Sequence, residues 1–206
     1  MIVACVLKSG GVYTPDWVRR LREGVAQHLK QDYKFVCLSD MEVPDRIPLV
    51  HDLKGWWSKI ELFKLPGPVL YFDLDTMIVG DLSDIANVAR TTDSLVMLTN
   101  FYDPKGYGSG VMAWGGDVSE LHNHFAGTGY YKGDQDYIAD NCKRIKRWQD
   151  ILPGQFVSYK ARVRKAEYKS ESGNGFVPKD ARVVCFHGLP KPDHIGWKLN
   201  VASDEP

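Results

Sequence analysis

The stretch GPVLYFDLDTMIVGDL, residues 67–82, decides how this sequence is interpreted. Its apolar residues from Val69 to Phe72 predict a buried strand. Asp73 and Asp75 follow with one residue between them, and on an extended chain their side chains point the same way and repel each other. At the carboxyl end of a strand, both carboxylates can bind one hard divalent cation, which offsets the repulsion. Such a pair can instead cap a helix or lie at a solvated edge, but the apolar flanks favour the metal site.

Strand-like runs alternate with helical patterns along the rest of the chain. Strands are predicted at 2–7, 34–40, 47–52, 94–99, 110–114 and 182–188. Thr14 and Pro15 predict the start of the first helix, and Ser58 and Glu61 have the spacing of a capping box at the start of another. The alternation predicts an α/β fold, in which helices flank a mainly parallel central sheet and ligands bind at the carboxyl ends of its strands.

Length and composition predict one globular domain over residues 1–206, with 44% apolar and 25% charged side chains. The formal net charge is zero, so no global field draws the protein to nucleic acid or to a membrane. No apolar run approaches the roughly 20 residues that span a bilayer, and the start lacks a basic leader, which predicts a cytoplasmic protein. Four widely spaced cysteines predict free thiols rather than disulfides or a zinc site: Cys5, Cys37, Cys142 and Cys185.

A competing Asp-x-Asp motif is that of the haloacid dehalogenase phosphatases. In that family the first aspartate is a nucleophile and a threonine follows two residues after the second. Here Thr76 follows Asp75 immediately and Met77 takes the place of the threonine. Some 70 residues also precede a motif that in those phosphatases lies near the start of the chain. These departures disfavour the phosphatase, which stays an alternative.

Another family matches more of the chain. The motifs in question are LYFDLDTMIVGDL (70–82), WWSKIELFKL (56–65), GSGVMAW (108–114), GDQDYI (133–138) and CFHGLPKP (185–192). They resemble, in the same order along the chain, five motifs of nucleotide-sugar glycosyltransferases with the glycosyltransferase A fold. The resemblance is to family 8 in particular, which includes glycogenin and bacterial lipopolysaccharide galactosyltransferases. It extends over residues 1–195 and implies a single catalytic domain that transfers a sugar from a nucleoside diphosphate sugar, with a UDP-sugar as the favoured donor.

The resemblance implies a cation, Mn²⁺ or Mg²⁺, that Asp73 and Asp75 hold against the donor diphosphate. Such a cation stabilises the charge that develops on the leaving group. The third ligand in the family is a histidine, and Cys185 stands at its position. His187, two residues on and on the same face if the strand continues, is the predicted replacement. A structural histidine or a water ligand is the alternative, and His194 is the reserve candidate.

The resemblance also assigns the remaining site residues. It places Lys8 and Tyr13 at the nucleotide, Asp134 and Gln135 beneath the donor sugar, and the other donor contacts at Lys59, Ser109, Gly110, Gly188 and Lys191. Family members retain the anomeric configuration, and the poor nucleophilicity of a glutamine favours attack from the same face. Four of these residues also have an ordinary role open to them: Asp134 as a helix cap, Lys191 as a solvated loop lysine, Lys59 as a lysine in the first turn of a helix and Tyr13 as a surface tyrosine.

The acceptor is not encoded in these motifs. Between residues 143 and 169 there are nine Lys or Arg and two acidic residues, and in VSYKARVR (157–164) the basic side chains alternate onto one face of a predicted strand. A solvated strand face explains this pattern, and an anionic acceptor such as nucleic acid or a phosphorylated glycan is the alternative. Three functions remain: a glycosyltransferase, a phosphatase or other nucleotide-processing hydrolase, and a nucleotide-binding domain that has lost catalysis.

Overall fold

The structure is a computed structural model in which residues 1–129 and 131–200 are described. The strands are β1 (Ile2–Leu7), β2 (Lys34–Ser39), β3 (Arg46–Pro48), β4 (Val69–Phe72), β5 (Thr76–Ile78), β6 (Leu95–Thr99), β7 (Tyr107–Trp114), β8 (Ile145–Arg147), β9 (Phe156–Ser158) and β10 (Val183–Cys185). The α-helices are α1 (Pro15–His28), α2 (Ser83–Thr91), α3 (Glu120–Asn123), α4 (Asp134–Asn141) and α5 (Trp148–Ile151). 3-10 helices cover Gly55–Lys64 and Pro192–Ile195, and a π-helical turn covers Tyr159–Val163.

The central sheet has the strand order β3-β2-β1-β4-β7-β6-β8. The pairs β1–β2, β1–β4, β2–β3 and β6–β8 are parallel, whereas β7 runs antiparallel to both of its neighbours. The predicted α/β fold with a mainly parallel sheet is therefore confirmed. The last predicted strand is β10, which lies outside this sheet and forms a second sheet in the order β5-β10-β9.

The central sheet is buried on both faces, as β1 shows. Val3, Cys5 and Leu7 pack in one apolar cluster with α1 and α2, while Ala4 packs in another with the 3-10 helix Gly55–Lys64. Successive side chains of a strand point to opposite faces, and here both faces are covered. The strand therefore has a continuous run of apolar residues and no polar alternation.

The direction of the strands places the predicted site residues at one edge of the sheet. Because β1, β2, β4 and β6 run the same way, their carboxyl ends lie along the same edge. β7 runs in the opposite direction, so its amino-terminal half lies at this edge, with Tyr107 paired to Thr99 and Val111 paired to Phe72. Residues 73–75 and 108–110 are thus neighbours.

Two local predictions are wrong for the same reason. Residues 58–65 do not begin a helix with a capping box, because the 3-10 helix begins at Gly55 and no side chain caps it. The buried Glu61 instead accepts the backbone N–H groups of Val50 and His51, both at 2.8 Å. These two N–H groups are therefore not available for pairing in the sheet, and the third predicted strand ends at Pro48 instead of residue 52.

The predicted start of the first helix is confirmed. Helix α1 begins at Pro15, although the side chain of Thr14 makes no capping hydrogen bond. The four cysteines are free thiols. Among the described helices, none combines the length and the apolar character that crossing a membrane requires.

Candidate functional site

A cavity of about 1230 Å³ opens at the carboxyl edge of the central sheet. Its walls are the loops after β1, β4 and β6, the start of the 3-10 helix Gly55–Lys64, the first half of β7, the start of α4 and the loop after β10. Every residue predicted to bind the donor, a metal or the reacting sugar lines it: Lys8, Tyr13, Lys59, Asp73, Asp75, Ser109, Gly110, Asp134, Gln135, His187, Gly188 and Lys191. The structure thus brings these residues together, and the role of each one stays a prediction.

Asp73 leaves the end of β4 and points into the cavity. Its backbone N–H donates to the carbonyl oxygen of Gly110 at 2.8 Å, which ties it to β7. Its Oδ1 accepts a hydrogen bond from the Tyr71 hydroxyl at 2.5 Å and lies 2.9 Å from Nζ of Lys59. Burial raises the pKa of Asp73 to about 6, although Lys59 opposes this shift; the negative charge of Asp75 adds to it. In this environment, a nearby positive charge strongly stabilises the ionised carboxylate of Asp73.

Lys59 is buried and serves two carboxylates. Besides Asp73, it lies 3.4 Å from Oδ2 of Asp134 and donates to Oγ of Ser109 at 3.1 Å. Burial alone would lower the pKa of Lys59, but the charges of Asp134 and Asp73 outweigh it and raise the pKa. The Ser109 hydroxyl in turn donates to Asp134 at 2.6 Å. These contacts join the 3-10 helix, β4, β7 and α4 in one polar cluster.

Asp134 does not cap its helix. The N-cap of α4 is Gly133, Asp134 is the first helical residue, and no side chain makes a capping hydrogen bond there. The carboxylate is instead buried against Lys59 and Ser109. Gln135 follows at the next position of the helix and also lines the cavity. The ordinary alternative for Asp134 is therefore removed.

Asp75 lies in the turn after Asp73 and belongs to a second polar cluster. Its Oδ2 accepts hydrogen bonds from the Tyr13 hydroxyl at 2.9 Å and from Nζ of Lys191. Lys191 also donates to the Tyr13 hydroxyl at 2.8 Å. Burial, followed by the charges of Asp75 and Asp73, raises the pKa of Tyr13, so its phenol stays protonated. The loop after β10 thus delivers an ammonium group to the second aspartate of the pair.

His187 lies on the cavity wall and forms a hydrogen bond with a serine hydroxyl group. Its Nε2 is 2.6 Å from Oγ of Ser158, and its ring stacks on Phe101 with the centroids 5.3 Å apart. Burial, together with the charge of Lys160, lowers the pKa of His187 to about 4. The imidazole is therefore neutral near pH 7, which is the form that binds metals.

Cys185, at the position of the family histidine, lies close to the aspartate pair. It is buried at the end of β10, and the next backbone N–H, that of Phe186, donates to the carbonyl oxygen of Asp75 at 3.2 Å. Burial raises the pKa of Cys185, and the two aspartates add to the shift. Among the described residues, no three His, Cys, Asp or Glu side chains are grouped closely enough to hold a metal ion. The predicted ligands share the cavity without forming a ready-made site.

His194, the reserve candidate, has a different environment. It does not appear among the residues of the cavity wall, and its Nδ1 accepts the backbone N–H of Lys191 at 2.9 Å. This hydrogen bond shapes the loop that carries Lys191 into the cavity. The position of His194 therefore suits a structural role in the loop.

Asp40, directly after β2, does not line the cavity but positions residues that do, and sequence analysis missed it. Lys8 lies 2.8 Å from Asp40 and 2.9 Å from Asp52, and Ser9 donates both its backbone N–H and its hydroxyl to Asp40. Burial would raise the pKa of Asp40, but these hydrogen bonds outweigh it and lower the pKa to about 2. Asp40 thus holds the loop after β1 in place. The signal was present, because Asp40 also follows an apolar strand directly.

The basic region 143–169 does not form the predicted strand face. Its alternating residues fold into β9 and then the π-helical turn Tyr159–Val163. Several of its charges are paired on the surface, as at Asp93, which lies 2.9 Å from Lys146 and 3.7 Å from Arg144. None of the nine basic residues lines the cavity. Lys160 comes nearest, since its ammonium group faces Gly188.

Comparison with solved structures identifies the fold of this chain. Neither a family model nor a curated protein sequence matches the chain. The chain aligns with a crystal structure of the galactosyltransferase LgtC in complex with donor and acceptor sugar analogues, at TM-score 0.56 and 12% identity, covering 99% of this chain and 98% of that one. A glycosyltransferase involved in the glycosylation of the major capsid of PBCV-1 aligns at TM-score 0.55 and 15% identity, covering 96% and 99%.

The glycosyltransferase GlyE of Streptococcus pneumoniae TIGR4 aligns at TM-score 0.53 and 13% identity, covering 72% of this chain and 45% of that one. The chain thus aligns with less than half of GlyE and with nearly the whole of the other two proteins. These similarities show that it has the glycosyltransferase A fold.

Proposed function

We propose that this protein is a metal-dependent glycosyltransferase that moves a sugar from a nucleoside diphosphate sugar to an acceptor, with retention of the anomeric configuration. The observation that supports this most is the set of opposite charges in one cavity at the carboxyl edge of the sheet. Asp73 and Asp75 are each paired there with an ammonium group, from Lys59 and Lys191 respectively. A diphosphate bound with a divalent cation requires both kinds of charge: carboxylates for the cation and ammonium groups for the phosphates.

The aspartate pair fits a hard divalent cation. Both side chains already bind a cationic group within hydrogen-bonding distance, and their oxygens are the ligands that Mn²⁺ and Mg²⁺ prefer. The hydrogen bonds to the side chain of Asp75 both use Oδ2, which leaves Oδ1 to a cation. Asp73, Asp75 and the neutral His187 would hold the ion. When bound, it would supply charge stabilisation to the departing diphosphate.

The remaining side chains suit the donor. Lys191 would exchange Asp75 for a phosphate oxygen, and Gly188, whose φ of +70° is open to glycine, lies beside it on the same loop. Lys8 and Tyr13 lie on the loop after β1, at the proposed nucleotide end of the cavity. Lys59, Ser109 and Gly110 line the same cavity, and the side chains of Lys59 and Ser109 contact Asp134 at the start of α4.

Asp134 and Gln135 would lie beneath the donor sugar. Because a glutamine is a poor nucleophile, attack by the acceptor hydroxyl from the face of the leaving group is favoured over a covalent adduct. In that step the bond from the anomeric carbon to the phosphate oxygen breaks, the bond to the acceptor oxygen forms, and the departing phosphate oxygen takes the acceptor proton. Because the new bond forms on the face from which the leaving group departs, the anomeric configuration is retained.

A panel of nucleotide sugars with Mn²⁺, scored by release of nucleoside diphosphate, tests the proposal. Release that requires the metal and is lost in Asp75→Ala, but kept in the exposed control Asp84→Ala, supports glycosyl transfer. Release of phosphate from simple esters would support a phosphatase instead. Tight nucleotide binding without turnover would support a binding domain, an outcome that the cysteine at the family's histidine position keeps open.

The anionic acceptor needs a separate test, because none of the nine basic residues lines the cavity. Binding of a nucleic acid or phosphorylated glycan should weaken steeply with added salt if the nine basic residues hold it. Affinity that is indifferent to ionic strength removes that acceptor class.

A further inference from the structure

Two histidines meet on the surface, outside the cavity described above. His51 lies in the loop after β3, and His122 lies in α3. Their Nε2 atoms are 3.3 Å apart, and their ring centroids are 5.4 Å apart. Two imidazole nitrogens that bind one tetrahedral ion at about 2.0–2.1 Å must themselves lie about 3.3 Å apart. The observed separation already equals the one that a shared metal ion requires.

The hydrogen bond between His122 and Asn123 fixes which ring nitrogen of His122 carries the proton. Nδ1 of His122 is 3.2 Å from Oδ1 of Asn123, and because an amide oxygen can only accept, Nδ1 carries the proton. Nε2 of a neutral His122 therefore has its lone pair available, and it accepts the Nε2–H of His51. When an ion binds both Nε2 atoms, the proton of His51 moves to its Nδ1. A ring nitrogen that donates to an oxygen while the other binds the ion is the usual arrangement around metal-bound histidines.

The two histidines are also held on rigid supports. The backbone N–H groups of Val50 and His51 donate to the buried carboxylate of Glu61, both at 2.8 Å. On the other side, the carbonyl oxygen of Leu121 accepts the hydroxyl of Tyr137 at 2.8 Å, and Leu121 itself is buried. Neither histidine backbone has to be ordered when an ion binds, which lowers the entropic cost.

The geometry points to a second metal site, in which His51 and His122 bind a transition-metal ion of the Zn²⁺, Ni²⁺ or Cu²⁺ class and water completes the coordination. Imidazole nitrogen suits these ions, whereas Mn²⁺ and Mg²⁺ prefer the carboxylate oxygens of the cavity. A bound ion would link the loop after β3 to α3. Asp52, the next residue in that loop, pairs with Lys8 on the cavity wall, so the site also adjoins the rim of the cavity.

Zinc titration against a chromophoric chelator tests the site, with the protein in an Asp73→Asn/Asp75→Asn/His187→Ala background that removes the three proposed ligands of the cavity metal. We expect one Zn²⁺ per chain and a loss of affinity of at least about tenfold in His51→Ala and in His122→Ala. His124→Ala is the matched control, since His124 is exposed and follows the same short helix. Circular dichroism checks that all variants are folded.

Three results would overturn the inference. The double variant His51→Ala/His122→Ala could bind Zn²⁺ as tightly as its parent, His124→Ala could weaken binding as much as the other two, or the parent could bind no Zn²⁺ at all. In each of these cases the pair is a histidine–histidine hydrogen bond only. The outcome is independent of nucleotide-sugar turnover, so the site and the proposed activity can fail separately.

Discussion

Asp73→Asn is expected to make the protein more stable at neutral pH, although it removes a candidate metal ligand. Burial raises the pKa of Asp73 from 3.8 to about 6 even with Lys59 beside it, so this carboxyl ionises less readily in the folded protein than in the unfolded chain. A pKa difference of about 2 corresponds to about 3 kcal/mol. The side chain keeps 28% of its surface exposed, and solvent screening reduces the expected gain to about 1–2 kcal/mol.

The direction with pH follows from proton binding. Between about pH 4 and about pH 6 the folded state holds a proton at Asp73 that the unfolded state has lost, so the wild-type protein loses stability as the pH rises through this window. Asparagine has no charge to bury at any pH, and Lys59 keeps Asp134 as a partner at 3.4 Å. The gain should therefore be near zero at pH 4 and complete above about pH 6.

Urea unfolding at pH 4 and pH 7.5, with a chelator present, measures the gain at both ends of the window. Asp93→Asn is the control with the opposite sign, because the hydrogen bond from Lys146 lowers the pKa of the exposed Asp93 to about 2. That variant should lose stability at pH 7.5. The reasoning is refuted if Asp73→Asn is less stable than the wild type at pH 7.5, or if its effect is equal at the two pH values.

Three further predictions concern charge and packing. Lys59→Met should destabilise the fold by about 3–5 kcal/mol because it leaves the buried Asp134 and the partly buried Asp73 without an ammonium partner. Lys143→Met breaks an exposed pair and should cost less than about 1 kcal/mol. Equal midpoints in urea would contradict this. Gly115→Ala should cost about 1–3 kcal/mol, since its Cβ would lie 2.5 Å from a backbone carbonyl oxygen, but at Gly116 a Cβ meets no atom within 4 Å. Melting temperatures of the two variants should differ accordingly. Lys191→Gln should tighten Mn²⁺ binding in the nucleotide-free protein, because its ammonium group no longer competes for a carboxylate; weaker binding by calorimetry would exclude that competition.

The location of the site was predictable because strand direction determines it. A run of apolar residues that ends in Asp73 predicts a buried strand with a carboxylate at its carboxyl end, and parallel strands bring such ends to one edge. The same rule, applied to the strand that ends in Ser39, would also have found Asp40. Ser109 and Gly110 were placed by resemblance alone, since they lie on the antiparallel strand, whose direction no local pattern indicates.

Local predictions failed where a side chain accepted a hydrogen bond from the backbone. The alternation in VSYKARVR predicts a strand through residue 164, but the hydroxyl of Ser158 accepts the backbone N–H of Ala161 and also bonds His187, so the chain turns there. Glu61 likewise bonds the loop at Val50 instead of capping its own helix. In both cases a side chain accepted a backbone N–H group that the predicted strand would have used for sheet pairing.

The sequence by itself determined the α/β fold and the edge of the sheet that carries the polar residues. Apolar periodicity records which faces of a strand or helix are buried, and that is a property of a few consecutive residues. Only the tertiary structure decided which charges meet: Lys59 between Asp73 and Asp134, and Lys191 on Asp75, 116 residues away. Such pairs depend on the paths of the loops that carry them, because ionic contacts act over a few ångströms and leave no repeating pattern along the chain.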